Sequence, residues 1–199
     1  MNSRSIALIA LFAALSIVLN AIRIPTIFWP NMVYLLADIP VVAAFLLYGF
    51  KIGILTEVVH VLGQIMFFPV GPAGFVAYPM GIIINLLMFL GIQLANSTMS
   101  GKVGSEKKFS EKKKILILTG FVIAIRTGIM PIIDYSVFYG VFLPLVLNVS
   151  FPQAYIVALV PSFILYHVTT ALYVVPIAYI TAKKASDYLK IKPNMSMLI

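Results

Sequence analysis

The chain has 199 residues, of which 62% are apolar and 10% charged, with 14 Lys and Arg against 6 Asp and Glu. A soluble domain is about half apolar and about a quarter charged, so this composition argues against a soluble enzyme or a nucleic-acid binder and indicates an integral membrane protein. Six helices of about 20 residues would use ~120 residues and leave no room for a soluble catalytic domain, and the absence of Cys removes thiolate metal sites, disulfides and cysteine nucleophiles.

The first apolar run, Ile6 to Ile22, lies between Arg4 and the pair Arg23 and Pro25. It is long for the core of a signal peptide and is followed by more hydrophobic sequence, so it reads as a retained helix over about 5–23. Val33 to Phe50, interrupted only by Asp38, predicts a second helix (33–50), and Ile52 to Phe68 a third (52–68) after a break at Tyr48-Gly49-Phe50-Lys51. A Pro and Gly cluster from Pro69 to Gly74 predicts a loop. The fourth helix is expected over 75–96. The polar segment 97–114, with six lysines, is the one obvious linker. A fifth helix is expected over 115–136 and a long sixth over 153–183, with Pro161 and Pro176 inside it. Val137 to Val149 is apolar but too short to span, which predicts an interfacial or re-entrant cap.

Charge placement orients this all-α, six-span frame. With the N-terminus in the cytoplasm, the cytoplasmic segments hold Arg4, Lys51, the six linker lysines, Lys183, Lys184, Lys190 and Lys192, which is 12 of the 14 basic residues. That bias is the positive-inside asymmetry of a multi-pass cell-membrane protein with both termini inside. The lysine run also suits contact with anionic lipid or a partner subunit.

Asp38, Glu57, His60, Gln64, Asn85, Arg126, Asp134 and His167 fall in or near the spans and would be costly facing lipid. Glu57, His60 and Gln64 share one helical face; Arg126 and Asp134 are two turns apart; His167, Thr170 and Tyr173 form a third polar stripe. Convergent polar groups among apolar and aromatic walls make a solute pocket, while pairing between helices explains Glu57, His60 and Arg126 equally well. Asp134 and His167, placed toward the outer ends of their helices, are the better ligand contacts. Tyr34, Phe28, Trp29, Phe67, Phe68, Phe75 and Tyr78 gather at the same predicted face. P-loop, H-E-x-x-H and G-x-S-x-G signatures are all missing, so the chain reads as a non-enzyme without a cofactor or metal of its own. Ala10 and Ala14 on the first helix form a small-x-x-x-small pair that admits a second helix closely, whether from this chain or another.

Ala10-x-x-x-Ala14, Asp38-Ile39-Pro40, Leu47-Tyr48-Gly49-Phe50-Lys51-Ile52-Gly53, Glu57, Arg126-Thr127, Asp134-Tyr135 and Tyr166-His167-Val168-Thr169-Thr170 follow one another in an order and spacing that cover most of the chain. In this the sequence resembles the substrate-binding S components of energy-coupling factor (ECF) vitamin importers, and most of all the riboflavin type. The resemblance implies a vitamin pocket near the outer face, capped by loops, with Asp134, His167 and Thr170 where the riboflavin type contacts its flavin ring, and with Tyr78, Asp38, Glu57 and His60 as further candidates. It implies a transmembrane coupling subunit that packs on Ala10 and Ala14, and two ATPase subunits that hydrolyse ATP for uptake. At the ring-contacting positions the riboflavin type carries Asn, Asn and Lys, so the acceptor-only carboxylate of Asp134 and the missing cation at Thr170 shift the site toward a donor-rich or cationic vitamin or a modified flavin. The alternative that needs no partner is a proton-coupled carrier using Glu57, Arg126 and Asp134. A ligand-free structural subunit would have little use for three polar stripes.

Overall fold

The computed structural model describes residues 2–26, 33–68, 71–100, 109–148, 150–190 and 193. Helix α1, Ser3–Leu19, starts at an Asn2 cap whose side-chain oxygen accepts from the Ser5 amide at 2.9 Å and the Ser5 hydroxyl at 2.7 Å, which satisfies one of the four free amides of the first turn. The helix stops short of the expected residue 23. Pro25 disfavours helical backbone before it, and Arg23–Pro25 forms strand β1, paired antiparallel with β2, Val33–Leu35, in the register Arg23↔Leu35, Ile24↔Tyr34, Pro25↔Val33. The expected helix 33–50 is therefore shorter, because its first five residues are strand and turn. Phe28 and Trp29 lie outside the described residues.

Helix α2, Asp38–Tyr48, has 11 residues and at 1.5 Å per residue is only about 16 Å long, roughly half a bilayer core. Val41 to Leu47 are all buried, the behaviour of a helix that is apolar on every side. It packs among α1, α3, α4 and α7, and a helix this short, wrapped in protein, does not have to span a bilayer by itself. Gly49 ends it at φ 86, a left-handed conformation that any side chain would strain. Helix α3, Phe50–Phe67, then turns back so closely that a Cβ on Gly53 would sit 2.7 Å from the Phe45 Cβ.

Helix α4 is Gly71–Ser100, earlier in its start than the expected 75 because Gly71-Pro72 opens a helix rather than a loop. Helix α5, Glu111–Ile133, continues without a break into a π-helical stretch, Asp134–Phe142, and the short α6, Leu143–Leu147. The expected cap is thus a helical extension, which packs on α4 and α7. Helix α7, Gln153–Leu189, carries Pro161 and Pro176 without ending.

Among the described residues, four helical stretches are long and apolar enough to cross a bilayer, Phe50–Phe67, Tyr78–Met99, Glu111–Val146 and Gln153–Leu189, while α1 and α2 are shorter. The core lies where α2, α4, α5 and α7 meet, with Phe45 and Phe89 stacked at 4.3 Å and Val122, Val174, Val175 and Ala178 around them. Tyr179 donates to Glu111 at 2.6 Å, and Lys183 lies 3.6 Å from the same carboxylate, which fixes the antiparallel register of α5 and α7. The starts of α1 and α5, the α2–α3 turn and the end of α7 accordingly share one basic end of the bundle. At the other end Arg23 lies 5.8 Å from the Phe68 ring centre.

Candidate functional site

Arg126, on the inner face of α5, is fully buried. Its Nη2 donates to His167 Nδ1 at 3.1 Å, and His167 Nε2 lies 3.0 Å from Asp134 Oδ2. A guanidinium can only donate, so Nδ1 must be the unprotonated nitrogen. The ring proton then sits on Nε2 and is donated to Asp134. The sequence thus builds Arg⁺–His⁰–Asp⁻ across α5 and α7, neutral as a unit, in which one imidazole satisfies both charges. Arg126 and Asp134 are eight residues apart, and the switch to π-helical winding begins at Asp134 itself, where such irregularities are common at functional positions.

A second cluster joins α2, α3 and α4. His60 Nδ1 is 3.1 Å from Glu57 Oε2, and Asn85 Nδ2 donates to Asp38 Oδ1 at 3.2 Å. Asn85 also neighbours Glu57, and α4 comes close enough at Gly81 that a Cβ there would stand 3.3 Å from Glu57 Oε1. Asp38 opens α2, a carboxylate at the positive end of a half-length helix. Asp38 is among the charged groups that act on Arg126, so the two clusters share one electrostatic neighbourhood.

The hairpin closes over α7. Tyr166 donates to the Val33 carbonyl at 3.3 Å, Tyr173 to the Leu35 carbonyl at 2.9 Å, and the Tyr34 and Thr169 hydroxyls are 2.6 Å apart. Tyr34 stacks on Tyr166 at 5.6 Å and meets Tyr173 edge-on at 5.9 Å. Carbonyls of strand β2 that a longer sheet would pair are thus satisfied by phenols of the last helix. The result is an aromatic wall beside the polar chain.

The structure brings Asp134 and His167 into one chain with Arg126, and Asp38, Glu57 and His60 into the cluster beside it. Thr170 is buried next to them, but its hydroxyl donates to the Tyr166 carbonyl at 2.7 Å within its own helix, so it is left to act as an acceptor. Tyr78 donates to the Phe68 carbonyl and ties the start of α4 to the end of α3. Gln64 shares the buried face of α3 with Glu57 and His60 but pairs elsewhere, its Nε2 donating at 2.9 Å to Oδ1 of Asn20, the residue that caps the end of α1. Asn20 was legible as a polar residue at the end of an apolar run, but uncharged residues there are cheap to overlook. Glu57 and the Arg126–Asp134 pair fall in different clusters instead of forming one relay. On α1, Ile9, Ala13 and Ser16 face inward, whereas Ala10 and Ala14 lie on the exposed side with Leu11 and Val18. Ala13, not the Ala10–Ala14 pair, makes the close contact inside the bundle.

No family model matches the sequence, and no curated protein does. A solved structure does match: the S component of a bacterial ECF transporter, with a TM-score of 0.64 and 19% sequence identity over 96% of this chain and 99% of that one. The chain has the fold of an S component.

Proposed function

We propose that this chain is the solute-binding membrane subunit of an ECF-type importer, that its solute is a vitamin, with riboflavin or a related flat heterocycle the first choice, and that the energy comes from ATP hydrolysed on partner subunits. The observation that carries the reading is the near end-to-end match to an S component, joined to the buried Arg126–His167–Asp134 chain at the hairpin end. Buried ionisable groups of this kind mark solute pathways more often than packing. A flat ring would lie against Tyr34, Tyr166 and Tyr173 and place its polar edge toward Asp134, His167 and Thr170, with Asp38, Glu57, His60 and Tyr78 behind. Arg126 Nε and Nη1 have no hydrogen-bond partner among the described residues, so a ligand oxygen or a water near them would be bound by a donor-only cation.

On this reading the outward Ala10 and Ala14 receive a coupling subunit, which in turn holds two ATPases. The chain sits in the cell membrane with both termini inside, the basic end of the bundle toward the cytoplasm. The test is to purify the protein, extract it and look for flavin absorbance and co-purified small molecules by mass spectrometry, then to titrate riboflavin into the stripped protein. A bound vitamin at one per chain supports the proposal. Failure to bind any vitamin, together with failure to associate with an energy-coupling module, would sink it. Uptake that follows a pH gradient in vesicles lacking any ATPase would instead favour a proton-coupled carrier.

A further inference from the structure

A second recess opens at the opposite, basic end of the bundle. It has a volume of about 550 Å³ and lies between the start of α1, the α2–α3 turn and the end of α7, where Arg4, Lys190 and the Tyr48 ring surround Leu8, Ile52 and Leu189. Nothing in the proposed vitamin site reaches it.

Its two cations are uncommitted. Among the described residues no carboxylate comes within ion-pair distance of Arg4 or Lys190; Glu111, a neighbouring acid, is held by Lys114 at 3.3 Å, Lys183 at 3.6 Å and Tyr179 at 2.6 Å. Asn2 and Ser5, the other polar groups at the rim, are engaged with each other in the α1 cap. Lys190 is fixed at the mouth by the turn that ends α7, with φ 52, and Arg4 acts on the Tyr48 hydroxyl from across the recess. Beside these polar groups, Leu8, Ile52 and Leu189 supply the aliphatic part of the lining, Ile52 buried at 8% exposed and Leu189 open at 59%.

A recess with two free cations at its mouth and an apolar floor matches neither a soluble anion, which has nothing to place on the aliphatic groups, nor an acidic peptide segment. We propose that it binds one anionic phospholipid from the adjoining leaflet, the phosphodiester between Arg4 and Lys190 and an acyl chain along Leu8, Ile52 and Leu189. The tyrosine at the same level is the side chain that membrane interfaces favour. Basic residues just outside a membrane helix attract anionic headgroups strongly enough for two of them to give about tenfold or more in preference. This site does not depend on the transport reading.

The experiment is native mass spectrometry of the full chain released from nanodiscs of equal phosphatidylglycerol and phosphatidylcholine. The wild type should retain one phosphatidylglycerol per chain, with about tenfold preference over phosphatidylcholine. R4Q/K190Q should abolish the preference while K112Q/K113Q, which removes the same charge from the nearby start of α5, leaves it intact, and excess inorganic phosphate should not displace the lipid. Lys190→Gln alone, at an exposed turn, should already weaken retention, so a folding defect in the double variant would not shield the proposal. Equal retention of both lipids, equal loss in K112Q/K113Q, or displacement by phosphate would each overturn it, the last by showing a simple anion site.

Discussion

His167 Nδ1 accepts from Arg126 Nη2 at 3.1 Å while its Nε2 faces Asp134 at 3.0 Å, so a single neutral imidazole mediates between a buried guanidinium and a half-buried carboxylate. Removing it strands the cation. Leaving a buried charged donor without its hydrogen-bond acceptor costs about 1–3 kcal/mol or more, so His167→Leu should lower the thermal midpoint in detergent by several degrees and abolish ligand binding. His167→Gln keeps an acceptor and a donor on one side chain and should recover most of the stability. Equal midpoints for the wild type and the Leu variant would show that Arg126 is satisfied elsewhere.

Asp134→Asn separates charge from geometry. The amide can still accept from His167 Nε2 through its oxygen, so folding should survive. The chain would then carry an uncompensated positive charge. If the ligand is cationic, affinity should fall roughly tenfold or more, the scale of a charge-assisted hydrogen bond; a neutral flavin, which gains an amide that can both donate and accept, should bind more tightly. Isothermal titration of riboflavin and of a cationic vitamin against both proteins checks this. Unchanged affinity for every bound ligand would remove Asp134 from the site.

The hairpin is held by phenols rather than by a sheet. Tyr166→Phe and Tyr173→Phe each remove one hydrogen bond to a β2 carbonyl, worth about 1 kcal/mol apiece, and preserve the ring stacking on Tyr34. Together they should open the hairpin severalfold more often, and trypsin cleavage after Arg23, followed by mass spectrometry, should accelerate to match. Bound ligand should slow the cut in both proteins if the hairpin closes over it. An unchanged cleavage rate in the double variant would mean that β2 is held by its strand partner and loop alone.

How much of this was legible beforehand differs by residue. Polar residues in apolar helices announce themselves because lipid makes them expensive, so Asp38, Glu57, His60, Arg126, Asp134 and His167 could be picked out singly, and the helical periodicity of Arg126 and Asp134 was enough to put them on one face. The pairing of Glu57 with His60 is local, three residues apart on one helix, but whether His167 meets Asp134 and Arg126 or Glu57 depends on how α7 packs against α5 and α3, a long-range matter with no local signature. The hairpin was hidden for a different reason. Val33-Tyr34-Leu35 is as apolar as the helix that follows, and hydropathy alone does not separate a three-residue strand from a first helical turn; only Pro25 and Pro30 hinted at extended backbone. The lack of any polar position from Pro40 to Leu47 was the trace of full burial in α2, which in a membrane chain looks the same as full exposure to lipid.

Helix α1 offers the sharpest separation between packing and partner contact. Ala13 is 1% exposed and faces the bundle, whereas Ala10, three residues before it, and Ala14, the next residue, are exposed on the outer face. Ala13→Trp forces a large ring into a filled interface, an overpacking cost of about 1–3 kcal/mol or more, and should destabilise the isolated protein. A10W/A14W should leave the midpoint and vitamin affinity of the isolated chain unchanged. With a coupling subunit and its ATPases, the same pair should prevent co-purification and stop uptake, because bulky rings hold the second helix away from the backbone groove that small residues leave open. A10S/A14S, which keeps the surface small, should assemble and transport normally. Full uptake by A10W/A14W would assign the outward face of α1 to lipid alone and move the coupling contact to another helix.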